Sequence, residues 1–282
     1  TASQPGVLVV SFLTLSAPSK VPMSAQASIL FNTDADGIGT LTLNRPDQLN
    51  AFDMDMVDAW RAALEAAEAD ERVKVIVVTG AGRAFCAGGD FAEMAKFSGM
   101  DSMARKDFLY RHVHRIALTL ERMEKPVIAA INGAARGAGC DMALMCDIRI
   151  MANSATLAES YINIGLMAGD AGAWFLPRLI GTARALELFW TGRVVGAEEA
   201  ERIGMVNRAV PDAQLLPVTY ELARTIASKS QQAVRFFRRA VYQSQTMALA
   251  THLDMVSSHM AVLEDTPEHR AGIAAFFERN QK

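Results

Sequence analysis

The chain repeats one local pattern: a short apolar run rich in β-favouring residues, a loop, and then a segment with apolar residues at helical spacing. The first clear cycle has a strand at 73–80, a loop at 81–94 and a helix over about 103–124. The second has a strand at 126–132 and a helix at 138–146. Strands that are joined through helices pair in parallel, so the sequence predicts an α/β fold.

The regions on either side of these cycles complete the predicted organisation. Residues 28–44 predict two short strands around an Asp-Gly turn. A helix should follow them, because apolar residues recur there at helical spacing, namely Met56, Val57, Trp60, Leu64 and Ala67. β-favouring runs stop at about Asp212, and helical patterns continue nearly to the end. We therefore predict an N-terminal extension (1–27), an α/β core (28–211) and a helical C-terminal region (212–282).

Composition favours small-molecule chemistry. Hydrophobic residues make up 51% of the 282 residues, enough for a sizeable core. The net charge of -3 gives no electrostatic support for binding nucleic acid or an anionic membrane. The apolar run at 7–17 is too short to span a membrane and has no basic residue before it, so we do not interpret it as a signal peptide. Cys86, Cys140 and Cys146 lack the spacing of a metal site or a disulfide framework, which fits a reducing cytoplasm.

Two glycine-rich loops, CAGGD (86–90) and GAARGAGCD (133–141), each follow an apolar strand. If Ala138 begins a helix, its N–H is one of the unpaired donors at the positive end of the helix dipole. A second N–H from Gly89 would complete an oxyanion hole, in which each donor is worth roughly 3 kcal/mol to a developing negative charge. A plain left-handed turn is the alternative for either loop alone, and neither loop matches a nucleotide-binding motif.

The chain resembles the enoyl-CoA hydratase/isomerase (crotonase) superfamily over about residues 28–282. The resemblance rests on five segments in the expected order, which are LTLNRPDQLNAF (41–52), VIVVTGAGRAFCAGGDFAEM (75–94), KPVIAAINGAARGAGCDMALMCDIRIM (125–151), IGLMAGDAGAWFLPRLIG (164–181) and TGRVVGAEEAERIGMVNRAV (191–210). It implies a crotonase-like spiral of ββα units, assembly as a homotrimer or a dimer of trimers, and an acyl-CoA thioester substrate. It also implies that coenzyme A enters as part of the substrate and that the protein uses no metal or redox cofactor.

The resemblance also assigns binding residues. The two backbone donors of the family's oxyanion hole match Gly89 and Ala138. The resemblance implies that coenzyme A lies along the segment around Ala51 and along the backbone of Ala87, Gly88 and Asp90. Ala92 stands where the hydratase often has a lysine, so one phosphate contact of the family is not carried over.

The acid and base depart from the hydratase pattern. The family's first catalytic glutamate falls on Asp141, three residues after Ala138, and the second falls on Tyr161. A phenol has a pKa of about 10 and does not replace a carboxylate base. Asp170 and Glu159 are the acidic residues that could compensate, although each could instead be a surface or loop-capping carboxylate.

Three functions follow from these residues. The preferred one is a hydratase-like lyase that adds water to a 2-enoyl-CoA, with Asp141 as one proton-handling group and Asp170, or Glu159 with Tyr161, as the other. An enoyl-CoA isomerase that uses Asp170 as its base is the second, because moving a double bond needs one base only. A non-catalytic member that binds acyl-CoA is the third.

Other residues predict structural roles. We expect His112 and His114 to be solvated or packed on an amphipathic helix, and Cys86 and Cys140 to be small core residues. Trp60, Trp174 and Trp190 are interpreted first as core residues, while Phe276 and Phe277 either pack a helix or cover the acyl-CoA pocket.

Overall fold

A computed structural model of the protein describes residues 27–280. The predicted N-terminal extension therefore lies almost wholly outside the described residues. The first elements are the two predicted strands, β1 (Ile29–Thr33) and β2 (Ile38–Leu43), which pair antiparallel. Asp34 fixes the turn between them, because its Oδ1 accepts the N–H groups of Asp36 and Ile38, each at 2.9 Å.

A six-stranded sheet forms the centre of the fold. From β1 and β2 it continues through β3 (Val75–Gly80), β5 (Val127–Ile131), β7 (Ile148–Ala152) and β10 (Arg208–Val210). All pairings after the first are parallel. Every residue of β5 is buried, as expected for a parallel strand that is covered on both faces.

A second, smaller sheet lies beside the first. It contains β4 (Ala84–Cys86), β6 (Ala134–Arg136), β8 (Thr156–Ala158) and β9 (Val195–Gly196), in that order. Each of β3, β5 and β7 in the large sheet is followed along the chain by a strand of the small sheet. The chain thus advances as a spiral of ββα units, and the predicted α/β fold with its helical C-terminal region is confirmed.

The described core contains eight helices, of which the second begins within the predicted loop at 81–94. They are α1 (Met54–Ala69), α2 (Phe91–Lys96), α3 (Ser102–Phe108), α4 (Arg115–Arg122), α5 (Ala138–Leu144), α6 (Gly172–Ile180), α7 (Thr182–Thr191) and α8 (Ala197–Arg202). The predicted single helix over 103–124 is interrupted by a π-helical turn at Leu109–Val113, after which the N–H of His114 bonds to Leu109 O at 2.9 Å. Apolar spacing alone did not reveal this wider turn.

Helix α1 buries the five side chains that its spacing selects. The side chain of Asp53 caps its first turn by accepting the N–H of Met56 at 2.9 Å. At its other end, the buried Lys125 donates to the carbonyl oxygens of Ala67 and Asp70, both at 2.7 Å. The bond to Ala67 satisfies a carbonyl of the last helical turn, which has no partner within the helix.

Four helices complete the chain: α9 (Leu215–Ala227), α10 (Gln231–Ser244), α11 (Leu249–Glu264) and α12 (Pro267–Asn280). Helix α9 packs on the large sheet. Helix α10 is anchored by Arg238, whose Nε donates to both carboxylate oxygens of Asp147 at 3.0 Å. In the described part of the chain, no helix is both long enough and apolar enough to cross a membrane.

The expectation for the three tryptophans is wrong in two cases. Trp60 is a core residue, but Trp174 and Trp190 are 49% and 70% exposed. The guanidinium of Arg178 stacks 3.3 Å from the centroid of the Trp174 ring. The apolar side chain favoured burial for all three tryptophans, but the orientation of α6 and α7 exposes Trp174 and Trp190.

Candidate active site

The loop after β4 carries the first predicted backbone donor. A parallel bridge joins it to Phe52, whose N–H bonds to Gly88 O and whose carbonyl accepts the N–H of Asp90, both at 2.9 Å. Gly88 makes the turn with a φ of 95°, which favours glycine. The N–H of Gly89 has no acceptor among the described residues, so it is free to bind a ligand oxygen.

The N-terminus of α5 supplies the second predicted donor. Ala138 is the first residue of this helix, and its N–H likewise has no acceptor in the described chain. The two loops are in contact, because a Cβ placed on Gly88 would lie 3.5 Å from Ala138 N. This position is compatible with the predicted two-donor oxyanion hole, and the catalytic role of Gly89 and Ala138 stays a prediction.

Two carboxyl groups and one phenol meet at the first turn of α5. The hydroxyl of Tyr161 lies 2.7 Å from Asp141 Oδ2 and 3.0 Å from Asp170 Oδ2. The N–H of Asp170 also donates to Asp141 Oδ2, at 3.1 Å. The fold therefore brings together the three residues that the sequence left as separate candidates. It does so by placing α5, the short helix Ser160–Ile164 and the loop before α6 side by side.

Burial controls the ionisation of these acids. It raises the pKa of Asp141 to about 6, with the charge of Asp170 adding to the effect and the Tyr161 hydroxyl opposing it. Burial also raises the pKa of Asp170, against which the Tyr161 hydrogen bond and His114 act. A phenol has one proton and can donate to one acceptor at a time. Protonation of either carboxyl is therefore favoured by the geometry as well as by burial.

Glu159 is a third buried acid in this cluster. It is 1% exposed and Asp170 is 6% exposed, so the surface interpretation of both residues is wrong. Burial, with a smaller contribution from the charge of Asp141, raises the pKa of Glu159 to about 10. No ion pair involves Asp141, Glu159 or Asp170 in the part of the chain that the structure describes.

Asp141 also depends on the glycine that begins α6. A Cβ placed on Gly172 would come within 3.0 Å of Asp141 Oδ1 and of its Cγ. The carboxyl group thus occupies the space that any other side chain at position 172 would need. The sequence motif GDAG (169–172) contained this glycine, but its contact with Asp141 is visible only in the fold.

His114 contacts the same cluster through the backbone. Its Nε2 lies 2.7 Å from Gly169 O, next to Asp170 in the chain, and its ring packs edge-on against Tyr110. This agrees with the expected packed histidine, but the contact with the site was missed. The π-helical turn before His114 is of a kind that occurs often at functional sites, but it is visible only in the fold.

The predicted coenzyme A segments are held together by Arg45, which the sequence analysis did not select. Its guanidinium donates to Ala51 O and to Asp90 Oδ2, and it forms an ion pair with Asp53 at 3.1 Å. Asp90 Oδ1 also accepts the N–H of Ala92 at 2.9 Å, at the start of α2. Both carboxylate oxygens of Asp90 are therefore engaged within the protein.

Asn50 fixes the same segment from within the core. It is fully buried, and its Nδ2 donates to Ala81 O at 2.9 Å and to Ala84 O at 2.8 Å. Its Oδ1 accepts the N–H of Arg45, also at 2.9 Å. Ala51 is thereby placed beside the loop that contains Ala87 and Gly88, whose predicted binding roles stay predictions.

The cysteines have structural positions. All three are buried, and burial raises the pKa of the Cys86 and Cys146 thiols to about 12 and that of Cys140 well above its ordinary value. Thiols in this state are poor nucleophiles. Among the described residues, no group of three or more His, Cys, Asp and Glu side chains is arranged to hold a metal ion.

Comparison with known proteins agrees with the fold. The model of the enoyl-CoA hydratase/isomerase family matches residues 33–282, so the chain belongs to this family. A probable enoyl-CoA hydratase of Mycobacterium tuberculosis is 39% identical, over 77% of this chain and 78% of the relative. A crystal structure of a putative enoyl-CoA hydratase/isomerase from Mycobacterium abscessus superposes with a TM-score of 0.85 at 30% identity, over 89% of this chain and 96% of that one.

Relatives named for two different reactions have similar sequence identity to this chain. A crotonyl-CoA hydratase of Syntrophomonas wolfei is 35% identical, and a 1,2-epoxyphenylacetyl-CoA isomerase of Escherichia coli is 34% identical. Each alignment covers 86% of this chain and 93% of the relative. The family is therefore established, while overall identity does not separate the hydratase reaction from the isomerase reaction.

Proposed function

We propose that this protein is a hydratase-like lyase that adds water across the double bond of a 2-enoyl-CoA thioester. The observation that carries the proposal is the Tyr161 hydroxyl between the Asp141 and Asp170 carboxyl groups, at 2.7 and 3.0 Å. Hydration needs one group to accept a proton from water and one to deliver a proton to carbon. The cluster supplies two carboxyl groups for these tasks, although the second glutamate of the family is replaced by tyrosine.

The oxyanion hole would stabilise the intermediate. The thioester oxygen would bind between the N–H groups of Gly89 and Ala138, which have no acceptor in the described chain. When the water oxygen bonds to C3, negative charge moves to the thioester oxygen and an enolate forms. Each preorganised donor is worth roughly 3 kcal/mol to such a charge.

The two carboxyl groups would handle the protons. Asp141, with a pKa of about 6, is mostly ionised at neutral pH and would accept the proton of the attacking water. Asp170, whose pKa is raised, would deliver a proton to C2 and collapse the enolate. After turnover Asp141 holds one proton more and Asp170 one fewer. The Tyr161 hydroxyl, bonded to both, would return the proton and restore the starting state.

The remaining features of the proposal come from the family. Coenzyme A would bind along Ala51 and the backbone of 87–90 as part of the substrate, and the reaction would need no metal or redox cofactor because only protons and water move. We propose a homotrimer or a dimer of trimers in the cytoplasm. The exposed apolar side chains on the C-terminal helices support an assembly of this kind.

The proposal is tested by following the ultraviolet absorbance of the conjugated thioester with purified protein and 2-enoyl-CoA substrates of several chain lengths. Hydration removes the conjugation and lowers the absorbance. The Asp141→Asn variant should lower kcat by about 10²-fold or more. Wild-type protein that leaves every substrate unchanged, or that binds acyl-CoA tightly without turnover, would contradict the proposal.

An isomerase is the second candidate. The observations in its favour are the loss of the second family glutamate at Tyr161 and the 34% identical isomerase relative. Asp170 alone would take a proton from C2 of a 3-enoyl-CoA and return it at C4. The Asp170→Asn variant should then lose isomerase activity on this substrate. Full activity in that variant would exclude Asp170 as the base.

A further inference from the structure

Glu159 is the buried acid for which the proposed mechanism has no task. It lies between β8 and the short helix that carries Tyr161, and its side chain is almost fully enclosed. Neither of its carboxyl oxygens has a hydrogen-bond partner of normal geometry in the described chain, and Asp141 Oδ1 is in the same state. A proton shared between the two acids would give each of them a partner.

The surroundings of Glu159 do not neutralise a negative charge. Helix α5 contributes Asp141 and Cys140, the loop before α6 contributes Asp170, and its own segment contributes Tyr161. The charged group on the neighbouring strand β6 is Arg136. Its Nη1 donates to Thr156 O at 2.8 Å and its Nη2 donates to Thr156 Oγ1 at 2.7 Å, so it is bound to β8 upstream of Glu159.

Three ionised carboxyl groups in one buried cluster would be very costly, because burial and mutual repulsion both penalise the charged forms. At least one acid must therefore hold a proton near neutral pH. Burial raises the pKa of Glu159 to about 10, whereas the pKa of Asp141 is kept at about 6, closer to its ordinary range. The effect of Glu159 on Asp141 is to lower the Asp141 pKa, which is what a proton donor does.

We propose that Glu159 is a positioning residue that stays protonated and donates its proton in a hydrogen bond to Asp141, which keeps Asp141 ionised and oriented. The inference rests on the proposed function, in which the ionised carboxylate of Asp141 accepts the proton of the attacking water. It adds a proton-holding acid that does not touch the substrate. Sequence position alone made Glu159 a possible partner of Tyr161, and the fold makes it a partner of Asp141.

The first test compares Glu159→Gln with Glu159→Met in the pH profile of kcat/KM. The glutamine amide can still donate to Asp141, so the acid limb should remain at the wild-type pH. Methionine cannot donate, so the Asp141 pKa should rise and the limb should move up by about one pH unit or more. If Glu159 were ionised instead, both variants would remove a repelling charge and move the limb down, which would overturn the proposal.

The second test needs no substrate. A Glu159 that is protonated in the fold but ionised in the unfolded chain makes wild-type protein lose stability as pH rises above about 5. Relative to Glu159→Gln, the folding equilibrium constant should fall by up to about tenfold per pH unit, measured by urea unfolding at one protein concentration. An absence of pH dependence in this difference would overturn the proton assignment.

Two controls complete the experiment. Glu198→Gln replaces an exposed glutamate on the first turn of α8. It should change neither the pH profile of kcat/KM nor the pH dependence of the folding equilibrium constant. In an Asp141→Asn background the pH dependence that belongs to Glu159 should become smaller, because the Asp141 charge helps to raise the Glu159 pKa. This coupling remains measurable if no 2-enoyl-CoA is turned over, so failure of the proposed reaction and failure of this inference are separate results.

Discussion

The hydroxyl of Tyr161 is the contact shared by both proposed proton-handling groups. Its hydrogen bond lowers the pKa of Asp141 and that of Asp170 against the effect of burial. In a Tyr161→Phe variant both pKa values should rise, so more of each carboxyl is protonated at a given pH. A hydrogen bond to a charged group is worth roughly 1.5–3 kcal/mol, which corresponds to a shift of about 1–2 pH units.

The acid limb of kcat/KM should move up by that amount, and kcat should fall because the proton can no longer pass through the hydroxyl. Tyr220→Phe is the matched control, since its hydroxyl also has a partner, Thr40 Oγ1 at 2.7 Å, but lies outside the cluster. An unchanged acid limb in Tyr161→Phe would show that the phenol does not lower the pKa values of the two carboxyl groups.

Gly172 gives a steric test of the Asp141 position. In Gly172→Ala the new Cβ would overlap Asp141 Oδ1, so the carboxyl group must move. Such overpacking costs about 1–3 kcal/mol, and we expect kcat to fall by about 10-fold to 10²-fold. Gly196→Ala is the control, because a Cβ there meets open space. Wild-type kcat in Gly172→Ala would contradict the assigned role of Asp141.

At the scale of elements, the site depends on how closely α5 packs against β4. A Cβ placed on Gly139 would lie within 3.0 Å of the Cys86 carbonyl, which is backbone and has little freedom to move. Gly139→Ala should therefore push α5 away from β4, and with it Ala138 away from Gly89. We expect a loss of about 1–3 kcal/mol in the free energy of unfolding, with a larger relative loss of kcat.

Urea unfolding and steady-state kinetics measure the two effects. Gly272→Ala on α12 is the control, where a Cβ meets open space and the change should be neutral or slightly stabilising. A Gly139→Ala variant with wild-type stability and kcat would mean that the α5–β4 contact does not set the site.

The longer elements could be predicted from periodicity, because each buries a face whose spacing is visible in the sequence. The short strands β4 and β6 instead lie in segments that the sequence predicted as loops. Helix α1 illustrates this, since all five of its selected residues are buried. The region of α3 and α4 illustrates the limit. Its apolar spacing predicts one helix, but a π-helical turn changes the direction of the side chains in the middle and places His114 against Gly169.

At the scale of the whole molecule, the C-terminal helices leave apolar side chains uncovered in the single chain. Phe237 and Val241, one turn apart on α10, are 71% and 60% exposed, and Phe276 and Phe277 on α12 are also exposed. If the proposed trimer covers α10, light scattering should give a mass of three or six chains. The double substitution Phe237→Glu with Val241→Glu should then shift the protein towards monomer.

Gln232→Glu is the matched control, because it adds a negative charge at an exposed position of the same helix. Circular dichroism should show unchanged helix content in all variants. A monomeric wild-type protein would contradict the proposed assembly. A variant that retains the wild-type mass would show that α10 is not part of the interface.

The sequence by itself determined the α/β class and the positions of the longer elements, and it selected Gly89, Ala138 and Asp141, whose catalytic roles stay predictions. These depend on local patterns, namely periodicity, glycine-rich turns and the order of motifs. Only the tertiary structure decided which acids meet, because residues at positions 141, 159 and 170 lie in separate segments whose distance depends on packing. It buried Glu159 beside Asp141, joined Asp170 to Tyr161, and brought Arg45 to Ala51 and Asp90. The ionisation of the site follows from that burial, which no local pattern encodes.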